Sequence, residues 1–245
     1  MRDLTEERSP AQGLALSRLW RGTRASRRGP RPKLSLTEIV DAALGVARAE
    51  GLSAVTMARV SEAAGCAKMA LYRHVSDRGD LLSAMLDSAL GEPPEPTGSW
   101  RDQFATLWDS LLDLYARDAW LLELPADVNG LTPRNVAWID ASLGLLDGST
   151  VPADQRLSTV LLITENIRFE ARRRRSEDGR ADDLDGLFSS AMRASGHLPA
   201  ERFPHLVALS RGGGSGLRAP STSMDHVREL MLRSIAGYFP GEDAR

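Results

Sequence analysis

Apolar residues recur at helical spacing along most of the chain, and no alternating run of the kind a strand needs interrupts them. Ser35-Leu36-Thr37-Glu38 has capping-box spacing and opens a stripe of Ile39, Ala42, Ala43, Val46 and Ala47, which Gly51 closes. Thr56 can cap a second helix with Val60, Ala63 and Ala64 on its inner side and Gly65 at its end. A third, short helix is expected over 67–75. Asp77 can cap a fourth that buries Leu81, Leu82, Met85, Leu86 and Leu90.

Residues 91–98 are a Pro/Gly-rich break. Beyond it, Ser99 with Asp102 starts a helix carrying Trp100, Phe104, Leu107, Trp108, Leu111 and Tyr115, followed by a short segment around Trp120–Leu122. Thr132-Pro133, a cap followed by proline at the first helical position, opens a helix to about Asp147. Pro152 opens a long one with a stripe of Leu157, Val160, Leu161, Thr164 and Ile167, ending in the arginine run 172–175. Weaker helical patterns cover 183–194 and 204–210. Residues 211–222 include a glycine-rich stretch with loop composition, and a last amphipathic helix is expected from about Met224 to Tyr238. The fold class is all-α. The expected organisation is a flexible basic arm over 1–34, a helix-turn-helix domain over 35–90 and a helical domain over 99–240.

The second and third helices and their turn carry the most specific signal. A helix-turn-helix needs a small residue where the helices cross, a turn former, and an apolar position that locks the second helix; Ser61, Gly65 and Leu71 fill these places. The open side of the second helix then presents Ala67, Lys68, Met69, Tyr72 and Arg73. Lys and Arg donate to guanine O6 and N7 or to phosphate, and Ala and Met suit thymine methyls. Tyr72 and His74 have donors for phosphate oxygens, as does Thr56 beside the free N–H groups of a helix start.

The formal net charge of −2 hides an asymmetry: seven basic residues and no acid lie between Arg18 and Lys33. Such a run is an electrostatic footprint for phosphate, in which Arg27, Arg28, Arg31 and Lys33 would raise affinity on any sequence; a solvated tail is the alternative. The single cysteine excludes an internal disulfide. The N-terminus has no apolar signal region and no apolar run reaches the ~18 residues of a bilayer span, so a cytoplasmic protein without a membrane partner is expected.

The block from Leu36 to Asp87, above all AALGVARAEGL, the AAG turn and LYRHVSDRGDLL, resembles the DNA-binding domain of tetracycline-repressor (TetR) family regulators. Fainter similarity continues through LTPRNVAWIDASLGLL and VRELMLRSIAGYF. The resemblance implies a homodimer that grips a palindromic double-stranded operator and releases it when a small-molecule effector enters the C-terminal helices. It implies that Lys68, Met69 and Ala70 lie nearest base edges and that Thr56, Tyr72, His74 and Arg78 hold phosphates. Two departures stand out: Arg78-Gly79-Asp80 differs from the commoner Lys-led continuation, and Ala58 sits where some members carry a base-reading arginine.

Other groups offer weaker chemistry. Trp100, Phe104, Trp108, Trp138 and Phe169 suit a core individually but together permit an apolar ligand cavity, which Glu165 and Asn166 could line as orienting groups; hydrogen bonding at a dimer interface is the alternative for those two. Residues 172–175 read as a solvated helix end or as a salt-bridge cluster at a dimer or domain contact. Cys66 reads as a turn filler rather than a redox sensor, and His197, His205 and His226 have no metal-ligand spacing. No cofactor is expected. The sequence offers no nucleophile–base–orienter set and no phosphate loop, which disfavours an enzyme. A DNA-binding protein without an effector is the nearer rival.

Overall fold

A computed structural model describes residues 13–21, 34–125, 128, 131–177, 201–202, 204–205 and 224–240. Among them are nine α-helices, two 3-10 turns and no strand. The expected helix at 183–194, most of that at 204–210, the glycine-rich stretch and His197 lie outside the described residues, as do the side chain of His226 and the arm residues Arg24, Arg27, Arg28, Arg31 and Lys33.

The chain divides into two compact units, Met1–Leu145 and Leu146–Arg245. The first begins with an element the sequence pattern concealed. Helix α1 (Leu14–Arg21) stands where a flexible arm was expected, with Ala15 fully buried. Helix α2 (Leu36–Glu50) starts at the Ser35/Glu38 capping box and buries Ile39, Val40, Ala43, Leu44, Val46 and Ala47. A 3-10 turn (Leu52–Ala54) leads to α3 (Met57–Ala63), α4 (Lys68–Leu71) and α5 (Arg78–Leu90). The inner face of α3 is Val60 and Ser61; Ala63, expected inside, is exposed.

The Pro/Gly break at 91–98 does not divide compact units. The carbonyls and carboxylates at the end of α5 are taken up by the helices that follow, α6 (Trp100–Arg117) and α7 (Pro133–Gly144). Arg117 Nη2 donates to Ala89 O at 2.9 Å, the Arg134 N–H donates to Asp87 Oδ1 at 2.9 Å, and Trp138 Nε1 donates to Gly91 O at 3.2 Å. Asp118, fully buried, receives Arg48 of α2 at 2.7 Å, Arg117 at 2.9 Å and Trp120 Nε1 at 3.0 Å. Burial opposes its charge, but those hydrogen bonds outweigh burial and hold the carboxyl below its ordinary range.

The second unit contains α8 (Ala153–Glu177) and α9 (Met224–Ala236). Helix α8 buries Val160, Ile163, Ile167 and Ala171. Leu157 and Leu161, expected on that stripe, are about half exposed instead, at 49% and 51%. The arginine run is not merely a solvated end: Arg173 and Arg174 close on the buried carboxylate of Glu170 at 3.0 and 2.6 Å. The end of α9 is tied back where the Thr150 N–H and hydroxyl both donate to Tyr238 O.

Candidate nucleic-acid interface

The helix-turn-helix is built by local capping. Thr56 Oγ1 accepts from the Arg59 N–H at 3.2 Å and starts α3. Gly65 turns the chain at φ +61°, a conformation that would strain any residue with a side chain. Ala67 leads into α4, which has only four fully α-helical residues; the Arg73 and His74 N–H groups then bond to Ala70 and Leu71 carbonyls, carrying helical winding to Val75. Leu71 and Val75 are fully buried and fix the helix on the core.

That anchoring leaves Lys68, Met69, Tyr72 and Arg73 outside, four residues whose spacing places them on one side of the helix. Met69 is 75% exposed, unusual for so apolar a side chain and suited to a partner with methyl groups. Ala67 and Thr56 are exposed as well, and Ala70 is half-buried. The structure thus brings Lys68, Met69, Tyr72 and Arg73 together, with Thr56 at the start of the neighbouring helix. Ala58 is also exposed and presents only a methyl group.

Arg78, expected at a phosphate, is engaged within the fold. Its Nε donates to Val55 O at 2.7 Å and its Nη2 to Leu52 O at 2.9 Å. The guanidinium is a strut that satisfies carbonyls of the 3-10 turn, which leaves it poorly placed to hold a phosphate. His74 is half-buried, with Nδ1 2.7 Å from Arg18 Nη1. Arginine has no acceptor, so Nδ1 accepts the hydrogen bond and the ring N–H sits on Nε2. Burial first, and then the charges of Arg18 and Arg73, push the imidazole below its ordinary range, so this ring is a neutral donor.

The expected ligand residues fall in both units. Phe104 and Trp108 are buried in the first unit with ring centroids 5.6 Å apart. Trp138 is buried nearby in sequence, and Trp100 is half-buried with the Arg101 guanidinium 4.6 Å from its ring centroid. Glu165, Asn166 and Phe169 belong to the second unit. Glu165 and Phe169 are exposed because they lie on the side of α8 away from its core, and Asn166 Nδ2 donates to Leu162 O of its own helix. Among the described residues no group of His, Cys, Asp and Glu is arranged to hold a metal, and no helix is long and apolar enough to cross a membrane.

Residues 39–85 match the family described as bacterial regulatory proteins, tetR family. Over 161 residues, 64% of this chain and 60% of the relative, the sequence is 33% identical to the HTH-type transcriptional repressor DrrR1 of Streptomyces coeruleorubidus, so the match spans less than two thirds of that protein. The TetR family protein ActR of Streptomyces coelicolor, solved in complex with (S)-DNPA, aligns with a TM-score of 0.66 and 25% identity over 84% of this chain and 98% of ActR. Its complex with actinorhodin aligns with a TM-score of 0.65 and 26% identity over 86% of this chain and 99% of ActR. BioQ, solved with its double-stranded DNA operator, shares the fold, with a TM-score of 0.53 and 18% identity over 67% of this chain and 98% of BioQ.

Proposed function

We propose, from the premise that this chain belongs to the tetR family of bacterial regulatory proteins, that it is a sequence-specific DNA-binding repressor released from a palindromic operator by a small-molecule effector. The observation that carries the reading is the exposed face of α4. Lys68, Met69, Tyr72 and Arg73 project from a helix whose only fully buried α-helical residue is Leu71, which is a geometry for reading a groove rather than for completing a core. Lys68 and Met69 are assigned to base edges, with Ala70 beside them. Tyr72, His74 and Thr56 are assigned to phosphates, and Arg27, Arg28, Arg31 and Lys33 to sequence-independent affinity.

The working unit is a homodimer. Helix α8 has apolar residues on two sides: one packs its own core, and Leu157, Leu161, Leu162 and Phe169 face away from it. A helix apolar on both sides is a helix with a second partner. The complexes of ActR with (S)-DNPA and actinorhodin support a small-molecule effector for this chain too. We assign its action to the C-terminal helices of a cytoplasmic regulator rather than an enzyme. Release follows if the effector binds better to the form whose reading helices are misplaced. The complete burial of Phe104 and Trp108 favours one rival, a constitutive binder with a filled core.

Anisotropy titration of duplexes tests the assignment. Lys68→Ala should weaken operator binding and relax base choice, while Arg28→Ala should lower affinity on all sequences and flatten the salt dependence. Unchanged operator binding by Lys68→Ala would remove that residue from the reading role.

A further inference from the structure

Helix α1 is docked onto the reading head by a carboxylate. Asp80, in the first turn of α5 and itself buried, accepts from the Ala15 N–H at 3.0 Å, the Leu16 N–H at 3.2 Å and the Ser76 N–H at 2.8 Å. Ser76 Oγ accepts from the Leu14 N–H at 3.1 Å. One carboxylate thereby satisfies two of the orphan donors at the start of α1, where negative charge also complements the helix dipole. Gly13 fits because a Cβ there would run into the Asp80 carboxyl group. At the other end, Trp20 Nε1 donates to Leu131 O at 2.8 Å.

Docked in this way, α1 lays Arg18 along the end of the reading helix. Nη1 reaches His74 Nδ1, and Nη2 donates to Arg73 O at 3.0 Å. Arg21 follows one turn later and is exposed. The charge balance of the first unit gives this placement meaning. Among its described cations, Arg48, Arg59, Arg117 and Arg134 pair with carboxylates, Arg78 with carbonyls, and Arg101 stacks on Trp100. Arg18 and Arg21 of α1 and Lys68 and Arg73 of the reading helix, by contrast, have no carboxylate partner among the described residues. The acids on this side are committed to capping, Asp77 to the Asp80 N–H and Asp80 to α1. Cationic charge left uncompensated by carboxylates and gathered around one element is a footprint for a polyanion.

We propose that α1 is part of the DNA-binding surface, with Arg18 both a phosphate contact and the positioning residue that fixes the His74 ring beside the reading helix. This rests on the DNA-binding reading above and extends it to an element outside the helix-turn-helix. The charge of Arg18 adds to that of Arg73, and its grip on Nδ1 leaves the Nε2–H of His74 to donate to a second phosphate oxygen.

The test is titration of the full-length protein and its variants with a mixed-sequence duplex of about 30 base pairs across a salt series, long enough for two half-sites one turn apart. Arg18→Gln should bind several-fold more weakly, with a log K against log salt slope shallower by about one for each protomer bound, so by about two for a dimer on both half-sites. Arg18→Lys should recover the slope while recovering only part of the affinity. Gly13→Val, which keeps every charge but pushes α1 off Asp80, should lose as much affinity as Arg18→Gln, and adding Arg18→Gln to it should cost nothing further. If Arg18→Gln and Gly13→Val both bind with unaltered affinity and slope while Lys68→Gln binds weakly, α1 is not part of the surface although the reading helix is. If the unaltered protein binds no duplex at low salt, the DNA-binding reading falls and this proposal falls with it.

Discussion

Arg78 shows how far a residue's type can mislead when its neighbours in space are distant in sequence. A cation in the first turn of α5 looked suited to phosphate, yet its guanidinium satisfies carbonyls of Leu52 and Val55, more than twenty positions earlier. Its removal is therefore expected to act on stability. Arg78→Ala should lower the unfolding free energy in urea by about 2 kcal/mol, the value of charge-assisted hydrogen bonds to groups otherwise left unpaired, while Lys68→Ala should leave stability unchanged. A normal melt for Arg78→Ala together with weakened DNA binding would restore the phosphate role. Asp80 was equally hard to read. The departure at Arg78-Gly79-Asp80 was visible, but nothing near Asp80 in sequence says that its partners are the N–H groups of Ala15 and Leu16. By contrast Ser35, Asp77, Ser99 and Thr132 were legible as caps because a cap bonds within its own first turn.

Elements fixed by local rules match their expected positions, and those fixed by distant partners do not. Helices α2, α5, α6 and α7 begin where side-chain caps place them. Helix α1 does not follow that rule: LALSRLWR is too short to form a stable helix alone and has no cap of its own, so its order depends on α5. Helix α8 was found, but its faces were misjudged, since apolar residues on two sides leave periodicity unable to say which side meets the core. The structure assigns Val160, Ile163 and Ile167 to the core and exposes Leu157, Leu161, Leu162 and Phe169. If the exposed row is the partner-facing side, Leu161→Asp should shift the protein from dimer to monomer in sedimentation. It should also lower affinity for a two-half-site duplex at least tenfold, through loss of the second reading head. A dimer that persists in Leu161→Asp would place the interface elsewhere.

At the scale of the whole molecule, the reading helix belongs to a unit that continues past the Pro/Gly break to Leu145. Arg48 and Arg117 on Asp118, together with Arg134 on Asp87, join elements from both sides of that break within this unit. Composition marked the break, and side-chain partners tie elements on its two sides together. The ligand residues were the least legible part. Aromatic content alone cannot separate a filled core from a cavity wall, and the candidates are distributed over both units. Selection of bound sequences from random duplexes by the purified protein asks whether the helical segment 68–75 meets DNA in duplicate. The expected outcome is an enriched inverted repeat whose half-sites lie one helical turn, or a whole number of turns, apart. Recovery of no enriched sequence, or of a single unrepeated half-site, would contradict it.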